Sequence, residues 1–244
     1  MFPVICQIGP FRIYSYGLLF AIAVLVTSYL LNREAKARGM NPEIISDLVF
    51  WLVIGGIIGA RLFYIVLYLP FFLQNPAEIV MIHHGGLAWQ GGLICALLIG
   101  IWFVKKHKLS LPSVLDLVAP YIALGEAIGR IGCFLNGCCY GREVSWGIYF
   151  PVHGARLHPT QLYTSAGLLL IFFILKRLRR FPGHDGRIFC TYLLLASLLR
   201  FIVEFYRADH DILWAGLSIY QIVSLVIVIV AFYANTYFKG LTRK

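Results

Sequence analysis

Seven stretches of this chain are each apolar over about 20 residues, the length that crosses the hydrocarbon core of a bilayer. Charged residues make up 13% of the sequence, about half the fraction usual in soluble domains. We therefore predict an all-α membrane protein, a bundle of about seven transmembrane helices that form a single domain over residues 1–244. The stretches lie near residues 14–32, 46–69, 86–104, 114–135, 160–176, 187–206 and 213–236.

Local signals refine three of these spans. The first ten residues lack the basic start and cleavage site of a signal peptide, so the first stretch is expected to remain as a membrane helix. Ser46 followed by Asp47 suggests the N-cap and first-turn acid of the second helix. The fourth stretch is the most polar and the richest in glycine, which predicts a place inside the bundle.

The distribution of basic residues predicts the orientation of the bundle, because Lys and Arg accumulate in cytoplasmic loops. The opposite side carries only Arg12, Arg142, Arg156 and Arg207. This asymmetry predicts that the N-terminus lies outside and the C-terminus in the cytoplasm. It also explains the net charge of +10, which therefore does not indicate binding to nucleic acid. The basic residues of the 1–2, 3–4 and 5–6 loops and of the C-terminus are Arg33, Lys36, Arg38, Lys105, Lys106, Lys108, Lys176, Arg177, Arg179, Arg180, Arg187, Lys239, Arg243 and Lys244.

In that orientation, the most unusual polar segments lie outside the cytoplasm. They are residues 83–86, 129–142, 153–161 and 204–211. The cytoplasmic loops resemble short basic anchors by comparison. Any chemistry is therefore expected at the outer half of the membrane.

Charged side chains at membrane depth are the strongest functional signal in the sequence, since each costs on the order of 3 kcal/mol to insert. Arg130 follows Glu126 by four residues and Arg200 precedes Glu204 by four, so each pair shares a helix face. Arg61 has no acid at that spacing. The pairs could simply neutralise each other, but three arginines against two acids leave positive charge for an anionic lipid head group, whose phosphate suits the guanidinium fork.

Glycines accompany these charges in three of the spans. Gly55, Gly56 and Gly59 precede Arg61, whereas Gly91 and Gly92 begin the third span; Gly125, Gly129 and Gly132 surround Arg130. Glycines at this spacing predict either a cavity beside the charges or close packing of helices.

Six motifs in order along the chain resemble the bacterial prolipoprotein diacylglyceryl transferases. The most distinctive is Gly129–Arg142, with the sequence GRIGCFLNGCCYGR. The others are IGP with YGL in residues 8–18, GARLFY at 59–64, GGLAWQGG at 85–92, HPTQLY at 158–163 and RFIVEFYR at 200–207. The similarity covers nearly the whole chain.

The resemblance implies transfer of a diacylglyceryl group from phosphatidylglycerol to the lipobox cysteine of a prolipoprotein signal peptide, with release of glycerol phosphate. It implies a multi-pass protein of the bacterial cytoplasmic (inner) membrane with its site toward the outer face, and neither a metal nor another cofactor. Four residues are carried over as catalytic: Arg130, Arg200, Glu204 and Tyr16. Residues expected to bind phosphatidylglycerol are Arg130, Arg61, Gln90, Asn136 and His158.

Several positions depart from the pattern of the best-known members of that family. Gln90 stands where they have a histidine that could serve as a base, and an amide cannot accept a proton at neutral pH. His84 and His158 are therefore alternative bases, and Glu204 could also accept the proton of the thiol. The other departures are Cys133 for asparagine, Cys138 for glutamate, Thr164 for glutamate and Ala196 for tyrosine.

Cys133, Cys138 and Cys139 allow three interpretations. They can be small packing residues, they can form a disulfide on an oxidising outer side, or they can bind a metal with a fourth ligand such as His158. Two further functions remain open from the residues alone. One is a transporter or channel for a small anion or lipid, and the other is a membrane thiol oxidoreductase that uses Cys138 and Cys139.

Overall fold

The structure is a computed structural model that describes residues 1–8, 11–81, 85–208, 212–214 and 216–241. Helices dominate it, and six of them are long and apolar enough to cross a membrane. The prediction of an all-α membrane protein is thereby confirmed, whereas the orientation of its termini stays a prediction. The helices are α1 (Ser15–Ala37), α2 (Pro42–Leu67), α3 (Leu69–Gln74), α4 (Trp89–Lys106), α5 (Leu111–Asn136), α6 (Thr160–Leu178), α7 (Arg187–Glu204) and α8 (Ile219–Leu241).

The seven long helices correspond to the seven predicted stretches. Helix α7 is the one outside the group of six apolar helices, since its 18 residues include the charged Arg187, Arg200 and Glu204. Helix α2 begins at Pro42 rather than Ser46, because Asn41 caps it by accepting a 2.9 Å hydrogen bond from the backbone N–H of Glu43. The Ser46 hydroxyl instead accepts a hydrogen bond from Asn32.

The chain forms two compact units, and the prediction of a single domain stays a prediction. The first unit comprises Met1–Leu31 and Leu115–Lys244, and the second is Asn32–Val114. In the second unit α2 packs on α4 through glycines. A Cβ on Gly59 would lie 2.6 Å from the carbonyl oxygen of Gly91, and one on Gly91 would lie 2.2 Å from the Cβ of Phe63. These two glycines therefore serve close helix packing rather than a cavity.

The core of the first unit lies among α5, α6 and α7. Half of the apolar segment of α5 is buried, more than in any of the other five apolar helices, as its composition predicted. The carboxylate of Asp116 on α5 accepts hydrogen bonds from the backbone N–H groups of Gly186 and Phe189, so it caps the start of α7 from a neighbouring helix. The buried core residues are Ala119, Ala123, Ala127, Leu168, Ile171, Leu175, Ile188 and Tyr192.

Among the described residues of the first unit there are also three two-stranded antiparallel hairpins, which the sequence did not predict. They pair β1 (Val4–Ile8) with β2 (Phe11–Tyr14), β3 (Glu143–Phe150) with β4 (Ala155–Leu157), and β5 (Ile212–Trp214) with β6 (Leu217–Ser218). They precede α1, α6 and α8 respectively. All three therefore fall in segments that the basic residues assign to the outer side.

Candidate active site

Arg130 projects from the last two turns of α5. Its Nη2 atom lies 3.1 Å from Oε1 of Glu126, so the pair expected from the four-residue spacing is formed. The side chains of Arg130 and Glu126 are 22% and 38% exposed. Among the described residues, Nε and Nη1 of Arg130 have no hydrogen-bond acceptor. The guanidinium is thus oriented by one carboxylate and keeps donors for a ligand.

Tyr16 lies beside this end of α5. A Cβ on Gly132 would sit 3.3 Å from the Cα atom of Tyr16, so glycine at that position permits the close approach of α1 to α5. The Tyr16 hydroxyl is within electrostatic range of Arg130 and of the thiols of Cys133, Cys138 and Cys139. The sequence-predicted Tyr16 and Arg130 therefore belong to one cluster.

A tight turn after α5 brings three cysteines together. The Sγ atoms of Cys133, Cys138 and Cys139 all lie within 4.8 Å of one another. The backbone N–H of Cys138 bonds the carbonyl of Cys133, and the turn uses a positive φ of 78° at Gly137 and 60° at Cys139. Hydrogen bonds from the thiols of Cys133 and Cys138 hold the pKa of the Cys139 thiol well below its ordinary value. The predicted ligand residue Asn136 ends α5 and contacts Cys138.

The start of α6 holds this cysteine turn in place. The Thr160 hydroxyl donates a 2.7 Å hydrogen bond to the carbonyl of Cys139, and Nε2 of Gln161 donates a 2.5 Å hydrogen bond to that of Cys138. Both side chains belong to residues that are only 1% exposed. Buried polar groups need such partners, so the His-Pro-Thr-Gln motif explains how the turn is supported.

His158 occupies a buried aromatic site next to that support. Its Nδ1 atom lies 3.1 Å from the hydroxyl of Tyr163, and its ring meets the edges of Trp146 and Tyr206 with centroids 4.7 and 5.3 Å away. Its side chain does not cap α6. The other predicted base, His84, lies outside the described residues, as does His83.

Glu204 ends α7 with both carboxylate oxygens engaged. Oε1 accepts a 2.9 Å hydrogen bond from the Ser218 hydroxyl, and Oε2 lies 3.1 Å from Nη2 of Arg200 and 3.8 Å from Nε of Arg207. The guanidinium of Arg200 also lies over the ring of Tyr220, 5.0 Å from its centroid. These contacts suit a residue that positions arginine side chains, and acceptance of the thiol proton by Glu204 stays a prediction.

A polar cavity of about 40 Å³ adjoins this carboxylate, large enough for a water molecule. Gln221 contributes to its lining, and within the described chain the Nε2 atom of this buried side chain has no acceptor. The lining residues are Arg142, Glu204, Phe205, Arg207, Gly216, Ser218 and Gln221.

Backbone hydrogen bonds connect the end of α7 with the motif at residues 129–142. The N–H of Arg142 donates to the carbonyl of Tyr206 at 2.8 Å, and the N–H of Gly141 donates to the carbonyl of His158 at 3.0 Å. A Cβ on Gly141 would lie 2.4 Å from the Tyr206 oxygen, so only glycine fits. The ends of α5 and α7 and the start of α6 are thus joined through Gly141 and its neighbours.

Arg61 and Gln90 belong to the second unit. All three guanidinium nitrogens of Arg61, a residue 6% exposed, donate to backbone carbonyls, namely those of Glu78, Ile79, Met81, Gly85 and Gly86. Gln90 is exposed in the first turn of α4. Arg61 thus organises the backbone of this segment, and its predicted contact with lipid phosphate stays a prediction.

Comparison with known proteins identifies the family. A family model described as prolipoprotein diacylglyceryl transferase matches residues 3–237. This chain belongs to the prolipoprotein diacylglyceryl transferase family. The phosphatidylglycerol–prolipoprotein diacylglyceryl transferase of Bacillus mycoides (strain KBAB4) is 37% identical over 237 residues, which cover 92% of this chain and 87% of that protein.

Two further relatives carry the same name. The protein of Staphylococcus carnosus (strain TM300) is 33% identical over 93% of this chain and 87% of its own length. That of Listeria innocua serovar 6a is 35% identical over 94% of this chain and 87% of its own length. The predicted family and the predicted class of enzyme, a diacylglyceryl transferase of lipoprotein maturation, are confirmed. They take precedence over the transporter and thiol oxidoreductase alternatives.

Sequence reasoning missed several members of this candidate site. Thr160 and Gln161 support the cysteine turn, whereas Arg207 and Ser218 hold Glu204. Arg207 could have been found, because it follows Glu204 by three residues on the same helical face. The contacts of Thr160, Gln161 and Ser218 are made between segments distant in sequence, and no local pattern marks them.

Proposed function

We propose that this protein transfers the diacylglyceryl group of phosphatidylglycerol to the thiol of the lipobox cysteine in a prolipoprotein. In this reaction the thiol loses its proton to water and the sulfur attacks C3 of the diacylated glycerol. The bond from C3 to the phosphate oxygen breaks, and glycerol phosphate leaves with the electron pair. The product is a thioether. Phosphatidylglycerol and the prolipoprotein signal peptide are the partners.

The arrangement of Arg130 is the observation that carries this proposal. Glu126 fixes one Nη atom of its guanidinium, and the other donors can reach a phosphate oxygen on which charge builds as the carbon–oxygen bond breaks. Arginine suits this task because its planar fork donates two parallel hydrogen bonds. Removal of one such donor typically costs about 10²- to 10³-fold in rate.

The end of α7 supplies the second arginine. Arg200 is held between Glu204 and the face of Tyr220 and keeps a side-chain exposure of 24%. Both Glu126 and Glu204 orient a guanidinium in this account. Tyr16, Asn136 and His158 lie in the same unit and are proposed to shape the pocket for the glyceryl group. Arg61 and Gln90 belong to the second unit and stay proposed contacts of phosphatidylglycerol.

The proposed location is the outer face of the bacterial cytoplasmic membrane. The basic loops support it, because Lys and Arg mark the cytoplasmic side, and the cysteine turn and the β3–β4 hairpin are in segments of the opposite side. Cys6 is exposed on β1. A membrane-impermeant maleimide should label Cys6 in intact spheroplasts but should leave a cysteine introduced at Arg180 unlabelled until lysis; the reverse pattern contradicts the orientation.

A reconstituted assay tests the reaction itself. Purified protein in detergent is incubated with phosphatidylglycerol and a synthetic lipobox peptide, and glycerol phosphate release and the mass of the peptide are measured together. We expect stoichiometric release and a mass gain of one diacylglyceryl group, and no reaction of a peptide with serine in place of the cysteine.

Matched arginine variants complete the assay. Arg130→Ala should lower the rate of glycerol phosphate release by about 10²- to 10³-fold. Arg38→Ala removes an arginine from a similar four-residue pair with Glu34 and should leave the rate unchanged. Absence of release with the unaltered protein, or equal rates for both variants, contradicts the proposal.

A further inference from the structure

The three-cysteine turn carries an inference that rests on the proposed function and deepens it. We propose that Cys133, Cys138 and Cys139 bind one zinc ion and that the open fourth position of this ion takes the thiol of the lipobox cysteine as a thiolate. The acceptor sulfur is thereby activated and aimed next to Arg130.

The spacing of the sulfur atoms fits such an ion. Zinc–sulfur bonds of about 2.3 Å place tetrahedral thiolates about 3.8 Å apart. The three Sγ atoms already lie within 4.8 Å of one another.

The backbone that presents these thiols is unusually constrained. Cys139 has a left-handed φ of 60°, a conformation that costs energy for any residue with a Cβ and that collects at functional sites. Thr160 and Gln161 fix the carbonyls of Cys139 and Cys138. The thiols are therefore gathered by a built framework rather than by chance proximity on a loose loop.

Positively charged side chains near the turn would balance the negative charge of a zinc ion bound by three thiolates. Three thiolates and one zinc ion carry a net charge of −1, and Arg130 and Arg207 both lie within electrostatic range of Cys139. Thiolates are ligands that zinc prefers over harder cations. The environment of the turn therefore suits a bound metal thiolate.

The ligand count points to a catalytic rather than a structural site. Among the described residues, which include His158, no histidine, aspartate or glutamate joins the three thiols in a metal-binding group. Structural zinc sites have four protein ligands, whereas catalytic sites have three and keep one position open.

An open position here meets the need of the reaction. A thiol bound to zinc is deprotonated outright, so the site supplies the thiolate that Gln90 cannot generate as a base. The S–H proton leaves to water, the zinc-bound sulfur forms its bond with C3 of the glyceryl group, and the phosphate oxygen departs with the C–O electron pair. Cys133 follows Arg130 by three residues on the same helix face, which places nucleophile and phosphate side by side.

Metal content and cobalt spectroscopy test the site independently of turnover. The full-length protein, purified in detergent under reducing conditions, should contain about one zinc per chain, and so should Cys6→Ser, which alters an exposed cysteine outside the turn. Cys139→Ser and Cys133→Ser should lose the metal. Cobalt in place of zinc should give a thiolate charge-transfer band that shifts on addition of the lipobox peptide but not of its Cys→Ser counterpart.

Kinetics after chelation separate this inference from the proposed function. A free thiol with a pKa of about 8.5 is about 3% ionised at pH 7, so the metal-free enzyme should turn over about thirty-fold more slowly and should gain rate up to pH 8.5. Added zinc should restore the rate.

Four results would each overturn the zinc site and leave the transferase proposal standing. They are full turnover without metal, a disulfide among the three cysteines, copper in place of zinc, and a cobalt spectrum that does not change when the peptide is added. Zinc and peptide binding without release of glycerol phosphate would instead overturn the transferase.

Discussion

The hydroxyl of Ser218 donates a 2.9 Å hydrogen bond to Oε1 of Glu204 and so connects the end of α7 to the start of α8. Ser218 also caps α8. Its oxygen accepts a hydrogen bond from the N–H of Gln221, and Oε1 of Gln221 accepts one from the N–H of Ser218, the reciprocal arrangement of a capping box. One serine thus starts a helix and orients the acid that holds Arg200.

Ser218→Ala removes both interactions. We expect a loss of about 1–2 kcal/mol in the free energy of unfolding, from the cap together with the hydrogen bond to a charged group, and a reduced kcat. Thermal unfolding in detergent and the release assay measure the two effects. Ser224→Ala is the control, since the hydroxyl of this buried serine bonds only its own helix. Equal behaviour of the two variants would contradict the role of Ser218.

Glu204→Gln should destabilise the protein far more than Glu126→Gln. The Glu204 carboxylate is 2% exposed between two arginines, and loss of one partner of a buried ion pair costs about 3–5 kcal/mol. Glu126 is 38% exposed with one arginine, and its replacement by an amide should cost about 1 kcal/mol. Unfolding of both variants under identical detergent conditions provides the comparison, and a reversed order would refute it.

Gly141→Ala should destabilise by about 1–3 kcal/mol, the usual cost of forcing extra atoms into a packed site. The new Cβ would meet the carbonyl oxygen of Tyr206 at 2.4 Å and the Cβ of His158 at 2.6 Å. Gly129→Ala is the matched change, because its Cβ would meet nothing within 4 Å, and alanine favours a helix by about 1 kcal/mol. Thermal unfolding should therefore move in opposite directions for the two variants; a shared direction would count against the packing.

Thr160→Val should loosen the cysteine turn. It leaves the carbonyl of Cys139 without its hydroxyl donor, at a cost of about 1–3 kcal/mol. Alkylation of Cys139 by a small maleimide, followed by mass spectrometry, should become faster. Thr164→Val, an equally buried change whose hydroxyl bonds the carbonyl of Thr160 in its own helix, should leave the alkylation rate unaltered.

Arg61→Lys should make the backbone of residues 78–81 and 85–86 less ordered. A lysine ammonium cannot reproduce the fork that holds carbonyls on both Glu78 and Gly86. Hydrogen exchange of residues 78–81 and 85–86 should accelerate, while exchange in α6 should stay constant. Unchanged exchange together with weaker phosphatidylglycerol binding would contradict this role in the segment and favour the predicted contact of Arg61 with lipid phosphate.

The sequence was sufficient for the helices and for pairs within one helix. Runs of about 20 apolar residues report burial in lipid directly, and the four-residue spacings of Arg130 and Arg200 to their acids become 3.1 Å contacts. The hairpins were not predicted, because strands this short are too brief to show a clear alternation of apolar and polar residues. The sequence shows the charge of Arg61, but it does not show the backbone carbonyls that its guanidinium contacts.

The bonds from Thr160 and Gln161 to the cysteine turn also bear on how such enzymes diversify. A version of this turn from a distant homologue, with asparagine and glutamate in place of cysteines, would need the same two carbonyl contacts to keep its conformation. Grafting that turn together with the beginning of α6 should succeed more often than grafting either alone. The two motifs, about twenty residues apart in sequence, are thus expected to be inherited as one module.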